Sequence, residues 1–118
     1  MAKSNPRAYR VADQIQRELA DIIRSEVRDP RLPALVTISA VNVSRDLAIA
    51  TIFITLVDAA EQEAAIAVLN RAIGFLRTEL ARRMKLRSVP QLKFKYDDSI
   101  ERGQHMDLLI QQAIDSDQ

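Results

Sequence analysis

The chain has 118 residues, 47% of them hydrophobic and 28% charged, with two glycines and no cysteine. This length and apolar content suit one globular domain with one core and exclude a disordered chain. The lack of cysteine excludes disulfides, cysteine-ligated zinc and thiol nucleophiles and fits a reducing compartment, while the net charge of +1 conceals a very uneven distribution.

Residues 1–8 are polar, lack the apolar centre of a signal peptide and read as a loose leader. A helix is expected from about Tyr9 to Val27. Val11, Ile15, Leu19, Ile22 and Ile23 form its core face, and Arg10, Arg17, Arg24 and Arg28 form a row on the far side. That row is either phosphate-facing or simply solvated; Asp13 and Asp21 each stand four residues from Arg17, where ion pairing is natural. Pro30 and Pro33 end the helix. The longest uncharged run, Leu32 to Ser44, is too short to span a bilayer.

Two strands follow, joined by Ser44-Arg45-Asp46 in a hairpin. Leu35 to Val43 alternates, but its phase slips near Ala40, which predicts a bulge. Leu47 to Val57 is rich in β-branched residues. It turns Ala50, Ile52, Ile54 and Leu56 toward the helices and Thr51, Phe53 and Thr55 away. Asp58 suits a cap or turn before a long helix from about Ala60 to Lys85, which Gly74 is expected to break. Gln91 to Tyr96 reads as a third strand, with Leu92, Phe94 and Tyr96 on one face and Gln91, Lys93 and Lys95 on the other. Asp97-Asp98-Ser99 resembles a capping sequence, and a last helix is expected from about Ile100 to Ile114. The whole reads as a single domain, with residues 9–96 as its core and 97–118 as a C-terminal helix with a frayed end. It is α+β, with a small sheet and helices packed on one face so that every apolar stripe is buried in two layers.

The charge is concentrated between Asn70 and Tyr96. That segment holds eight bases against one acid, a net +7; the other residues hold nine bases against fifteen acids, a net −6. The eight are Arg71, Arg77, Arg82, Arg83, Lys85, Arg87, Lys93 and Lys95. On a helical wheel Ile66, Leu69, Ile73, Leu76, Leu80 and Met84 make a buried stripe, while Arg71, Phe75, Thr78, Arg82 and Lys85 lie opposite. Arg83 is expected at the margin of that outward face. Arg77 falls at the edge of the apolar stripe, so either its stem snorkels or the helix is re-phased before it. Such a concentration of bases attracts polyanions, and arginine and lysine bind phosphate backbones with little demand for sequence. Phe75 is a candidate for stacking on an unpaired base, or else packs under the first helix or the C-terminal segment.

No catalytic constellation emerges. His105 is the only histidine, Asp97-Asp98 reads as a cap in preference to a metal site, and Gly74 and Gly103 are isolated glycines that form no phosphate loop. No metal, nucleotide or other cofactor is expected, and an RNA-processing enzyme is disfavoured.

Several stretches in this order and spacing carry a resemblance: Arg28-Asp29-Pro30-Arg31, Val36-Thr37-Ile38-Ser39, Val43-Ser44-Arg45-Asp46-Leu47, Leu69 to Arg77, Leu86-Arg87-Ser88-Val89-Pro90, and Asp97 to Gly103. From about Arg7 to Ile110 the chain closely resembles the bacterial ribosome-binding factor A family. The resemblance implies a type II KH-like fold, α-β-β-α-kink-α-β, with a C-terminal helix. It implies a cytoplasmic, non-enzymatic, monomeric factor that binds the immature small ribosomal subunit and its rRNA, works beside other assembly factors, and assists late maturation and rRNA processing, notably in the cold. Where an ordinary KH domain grips nucleic acid with a GXXG loop, the family carries an Ala-x-Gly kink, here Ala72-Ile73-Gly74. Ala72 and Gly74 would set the kink and permit close backbone approach. The rival reading is a protein-interaction module that docks the same basic patch on an acidic ribosomal or regulatory protein.

Overall fold

The computed structural model describes residues 6–27 and 36–116, with side chains as far as Ile114. The expected end of the first helix at Pro30 and Pro33 lies outside them. Helix α1 spans Pro6–Glu26 and strands β1 and β2 span Val36–Val43 and Ile49–Leu56; a 3₁₀ turn at Ala59–Glu61 precedes α2, Gln62–Arg71. Helix α3 spans Ile73–Met84, β3 spans Gln91–Tyr96 and α4 spans Ser99–Ser116. This is the expected α-β-β-α-kink-α-β order with a helix appended.

Helix α1 starts three residues before the expected Tyr9. Proline is favoured at a first helical position, because its fixed φ suits the helix and its missing N–H had no partner there. The extension adds Ala8 to the buried face, on which Ala12 joins Ile15, Leu19, Ile22 and Ile23.

The sheet runs β1-β2-β3, with β3 at an edge. β1 and β2 are antiparallel, and their register shifts between Ile38 and Ala40. This is the bulge that the phase slip predicts. It keeps Ile38 and Val41 buried on one side, although they are three residues apart. Gln16 Nε2 donates to Ile38 O at 3.1 Å and ties α1 to the strand just before the irregularity. β2 and β3 are parallel, with Thr51 opposite Lys93 and Phe53 opposite Lys95. A parallel pair needs a long crossover, and α2 with α3 supplies it.

The core lies between the sheet and α1–α3. Ile15, Leu19, Ile22, Ile52, Ile54, Leu69, Leu76 and Leu80 are fully buried, each contributing about 1.5–3 kcal/mol by leaving water. Ala50, Ile52 and Ile54 face the helices as expected, and Leu56 packs at the margin of the same cluster. The C-terminal helix departs from expectation. Its side chains from Ser99 to Ile114 are all exposed, Ile100, Met106, Leu109, Ile110 and Ile114 among them. The expectation that all apolar stripes are buried therefore holds for α1–α3 and fails for α4. The two-layer core is closed without it.

The helix break is also displaced. It falls at Ala72, with φ −89° and ψ 0°, not at Gly74. Ala72 N–H still reaches Val68 O at 3.2 Å and Leu69 O at 3.1 Å, while Ala72 O accepts from Leu76 N–H at 2.9 Å. Gly74 lies inside α3 at a negative φ, and a Cβ built on it meets nothing within 4 Å. The kink therefore does not depend on glycine's conformational freedom or on close packing within the chain.

Candidate nucleic-acid interface

Seven of the eight bases fall into three groups, and Arg82 stands between the first two. Arg71 ends α2 and is exposed, with its Nε donating to Ala67 O at 3.4 Å. Lys85 closes α3 in the left-handed region at φ 53°, its N–H donating to Ala81 O at 3.0 Å. Arg87 is exposed in the following turn. Among the described residues, these three form no ion pair with an acid of the chain.

Arg77 and Arg83 are committed within the fold. Arg77 donates from Nη2 to Val89 O at 2.7 Å and from Nε to Pro90 O at 3.2 Å. It thus satisfies two carbonyls of the turn that leads the buried Pro90 into β3. The wheel misfit had this cause: the stem lies along the apolar edge so that the guanidinium can reach the turn. Arg83 donates from Nη1 to Asp21 Oδ2 at 2.7 Å and to Glu18 Oε1 at 3.2 Å, with Glu79 at 3.9 Å. Its side chain is 20% exposed, so it points inward across the α1–α3 contact and not to the margin of the outward face. The hydrogen bond from Arg83 is the main cause that holds the Asp21 carboxyl below the usual carboxylate range. Arg82 is intermediate. It is largely exposed but bonds Glu79 Oε1 at 2.6 Å, which lowers the Glu79 pKa.

Lys93 and Lys95 form the third group. The pattern in β3 buries Leu92 and Phe94 toward the helices and leaves Gln91, Lys93 and Lys95 exposed on the opposite sheet face. The bases of β3 and those along α3 therefore look out from opposite layers. The run that reads as one positive surface is two. Phe75 is 45% exposed beside Gly74.

The first-helix row is partly self-neutralised. Arg17 pairs with Asp13 at 3.0 Å and Arg24 with Asp21 at 3.3 Å. Asp21 turns to Arg24 and Arg83, and not to the Arg17 its spacing suggested. Arg28 lies outside the described residues. Asp97 and Asp98 organise the start of α4: Asp97 Oδ1 accepts from Ser99 N–H at 2.9 Å, and Asp98 pairs with Arg102 at 2.7 Å. Asp97 Oδ2 also accepts from Ser39 Oγ at 2.6 Å, the main cause of a pKa lowered to about 2. His105 is exposed. Among the described residues no three of His, Asp or Glu converge on a metal position, and no helix is long and apolar enough to cross a membrane.

A family profile described as ribosome-binding factor A matches residues 7–110. A relative named ribosome-binding factor A from Pseudomonas fluorescens (strain SBW25) is 58% identical, over 99% of this chain and 91% of its own length. The crystal structure of ribosome-binding factor A from Thermus thermophilus matches with a TM-score of 0.69 at 34% identity, over 75% of this chain and 93% of that one. A homology model of the Thermus thermophilus factor, fitted into a cryo-EM map of its complex with the 30S subunit, matches with a TM-score of 0.63 at 33% identity, over 74% of this chain and 91% of that one.

Proposed function

The chain belongs to the ribosome-binding factor A family, and on that premise we propose that it binds the immature small ribosomal subunit and its rRNA. It assists late maturation and rRNA processing, with most effect in the cold, as a monomeric, cytoplasmic and non-enzymatic factor beside other assembly factors. The observation that carries this reading is the 58% identity across 99% of the chain.

Phosphate contacts on the helical layer fall to Arg71, Lys85 and Arg87, whose charges are not spent on acids among the described residues, with Arg82 able to exchange Glu79 for phosphate. Arg77 and Arg83 act indirectly, by holding α3 against the β3 turn and against α1. α3 has 12 residues and is about 18 Å long at 1.5 Å per residue, so Arg71 and Lys85 engage phosphates well separated along an RNA. Beside the half-buried Ala72 and Ile73, Gly74 is exposed and has no side chain, so an RNA backbone can approach there next to the exposed Phe75. Lys93 and Lys95 meet RNA from the other layer.

The test is a sucrose gradient of cell extract blotted for the protein. Co-sedimentation with free small subunits, and not with translating ribosomes, is expected. Release by RNase supports RNA contact; co-sedimentation with a protein after complete RNA digestion supports docking on an acidic protein instead.

A further inference from the structure

The sheet face that carries Lys93 and Lys95 has a feature that neither its charge nor the kinked helix accounts for. Phe53 projects from the middle of the central strand into that face, between the buried Ile52 and Ile54 that point the other way. It is half-buried. Its register partner on β3 is Lys95, and Lys93 stands opposite Thr51 on the same side. Its partner on β1 is Ala40, whose methyl leaves that flank of the ring low. Adjacent strands lie about 4.8 Å apart, a span short enough for both lysine side chains to bring an ammonium group to the rim of the ring. Neither lysine has an ion-pair partner among the described residues. Asp97, two residues beyond Lys95, already accepts from Ser39 Oγ and Ser99 N–H. An aromatic ring in the centre of a solvent-facing sheet, flanked by unpaired cations, matches the chemistry of an unpaired nucleotide: a base to stack and phosphates to neutralise.

We infer that the open face of the sheet is a second RNA site, in which Phe53 stacks an unpaired base while Lys93 and Lys95 hold the adjoining phosphates. The inference rests on the ribosomal reading above and adds to it a single-stranded segment, reached from the layer opposite α3. Thr37, Asn42, Thr51 and Thr55 are the short polar side chains around the ring, Ile49 lies further along β2, and the Asp97 carboxylate at the end of the sheet is already engaged by Ser39.

The full chain is titrated with an unstructured RNA of about ten nucleotides and with an abasic ribose-phosphate oligomer of equal length and charge. Wild type is expected to bind the base-bearing oligomer about tenfold more tightly. Phe53→Leu, which keeps an apolar side chain of similar reach, removes that preference and leaves the abasic affinity unchanged. Phe53→Tyr retains the preference, which separates stacking from a folding defect. Lys93→Gln with Lys95→Gln weakens both oligomers and reduces the log–log salt slope by about 1.4. No base preference in the wild type, or one that survives Phe53→Leu, overturns the platform, and the ribosomal reading stands if the protein still co-sediments with small subunits. Wild type that fails to co-sediment overturns the ribosomal reading itself.

Discussion

Arg83 Nη1 lies 2.7 Å from Asp21 Oδ2, so one of the eight bases of the positive segment joins α3 to α1 and does not face solvent. The same guanidinium reaches Glu18 at 3.2 Å. Removing one partner leaves the others with uncompensated, partly desolvated charge, which costs more than the pair contributes when intact.

Arg83→Gln is therefore expected to lower the thermal midpoint, whereas Arg87→Gln leaves it within error. Asp21→Asn on the Arg83→Gln background should cost less than Asp21→Asn alone, because the partner is already gone. Additive shifts in a double-mutant cycle would dismiss the tie. Because Asp21's pKa is lowered in the folded state, the contribution of the tie is present above the ordinary carboxylate pKa and fades as pH falls below it.

Binding to small subunits is expected to follow the cations that the fold leaves unpaired. Arg71→Gln, Lys85→Gln and Arg87→Gln together remove three charges. By the phosphate-contact relation they should reduce the log–log salt slope by about 2–2.7 while circular dichroism stays unchanged. Arg10→Gln, Arg17→Gln and Arg24→Gln remove the same charge from α1, where Arg17 and Arg24 are already paired. Equal losses from both triples in a filter-binding salt titration would assign the effect to net charge and not to a site.

Gly74→Ala is expected to stabilise the protein by up to about 1 kcal/mol in a denaturant melt, since alanine is the better helix former. The added methyl meets nothing within 4 Å. Weaker subunit binding by this more stable variant would show that the bare backbone at the kink is where RNA approaches; undiminished binding would remove the kink from the interface.

Among the described residues, two other than glycine have left-handed backbones, Leu47 at φ 61° in the hairpin and Lys85 at φ 53° after α3. Such a conformation costs an L-residue about 1–2 kcal/mol that glycine avoids, partly offset by glycine's greater freedom when unfolded. Leu47→Gly and Lys85→Gly should each raise stability by roughly 0.5–1 kcal/mol. Only Lys85→Gly should weaken subunit binding, because only Lys85 belongs to the proposed interface. A stability loss in both would mean that their side chains matter more than the backbone.

Asp97 has its pKa lowered to about 2, first by the Ser39 hydrogen bond and then by Ser99. A carboxyl depressed on folding adds stability that is full above its unfolded pKa of about 3.9 and is lost as pH falls toward 2. Ser39→Ala should move the Asp97 titration up toward the ordinary value, read by carboxyl-carbon NMR, and should shrink the loss of stability between about pH 4 and pH 2. An unmoved titration would mean that Ser99 alone sets the value.

Periodicity carried most of the fold. The stripe from Ile66 to Met84, the β-branched alternation of Ile49–Leu56 and the phase slip at Ala40 follow from the 3.6- and 2-residue repeats, which depend only on local backbone geometry. Composition likewise located the positive segment, and the order of short motifs identified the family. Only the tertiary structure decided which bases are available to a partner. Arg77 and Arg83 lie among exposed arginines in the chain, but their stems are long enough to reach carbonyls 12–13 residues away and carboxylates 62–65 residues away. No linear pattern records such distances. The division of the bases between two layers has the same origin: β3 runs parallel to β2 at the sheet edge, and its alternation turns Lys93 and Lys95 away from α3. The exposure of α4 was not legible for a related reason. An apolar stripe states that a helix has a face to bury, and only the closed packing of α1–α3 on the sheet decides that this domain leaves it uncovered.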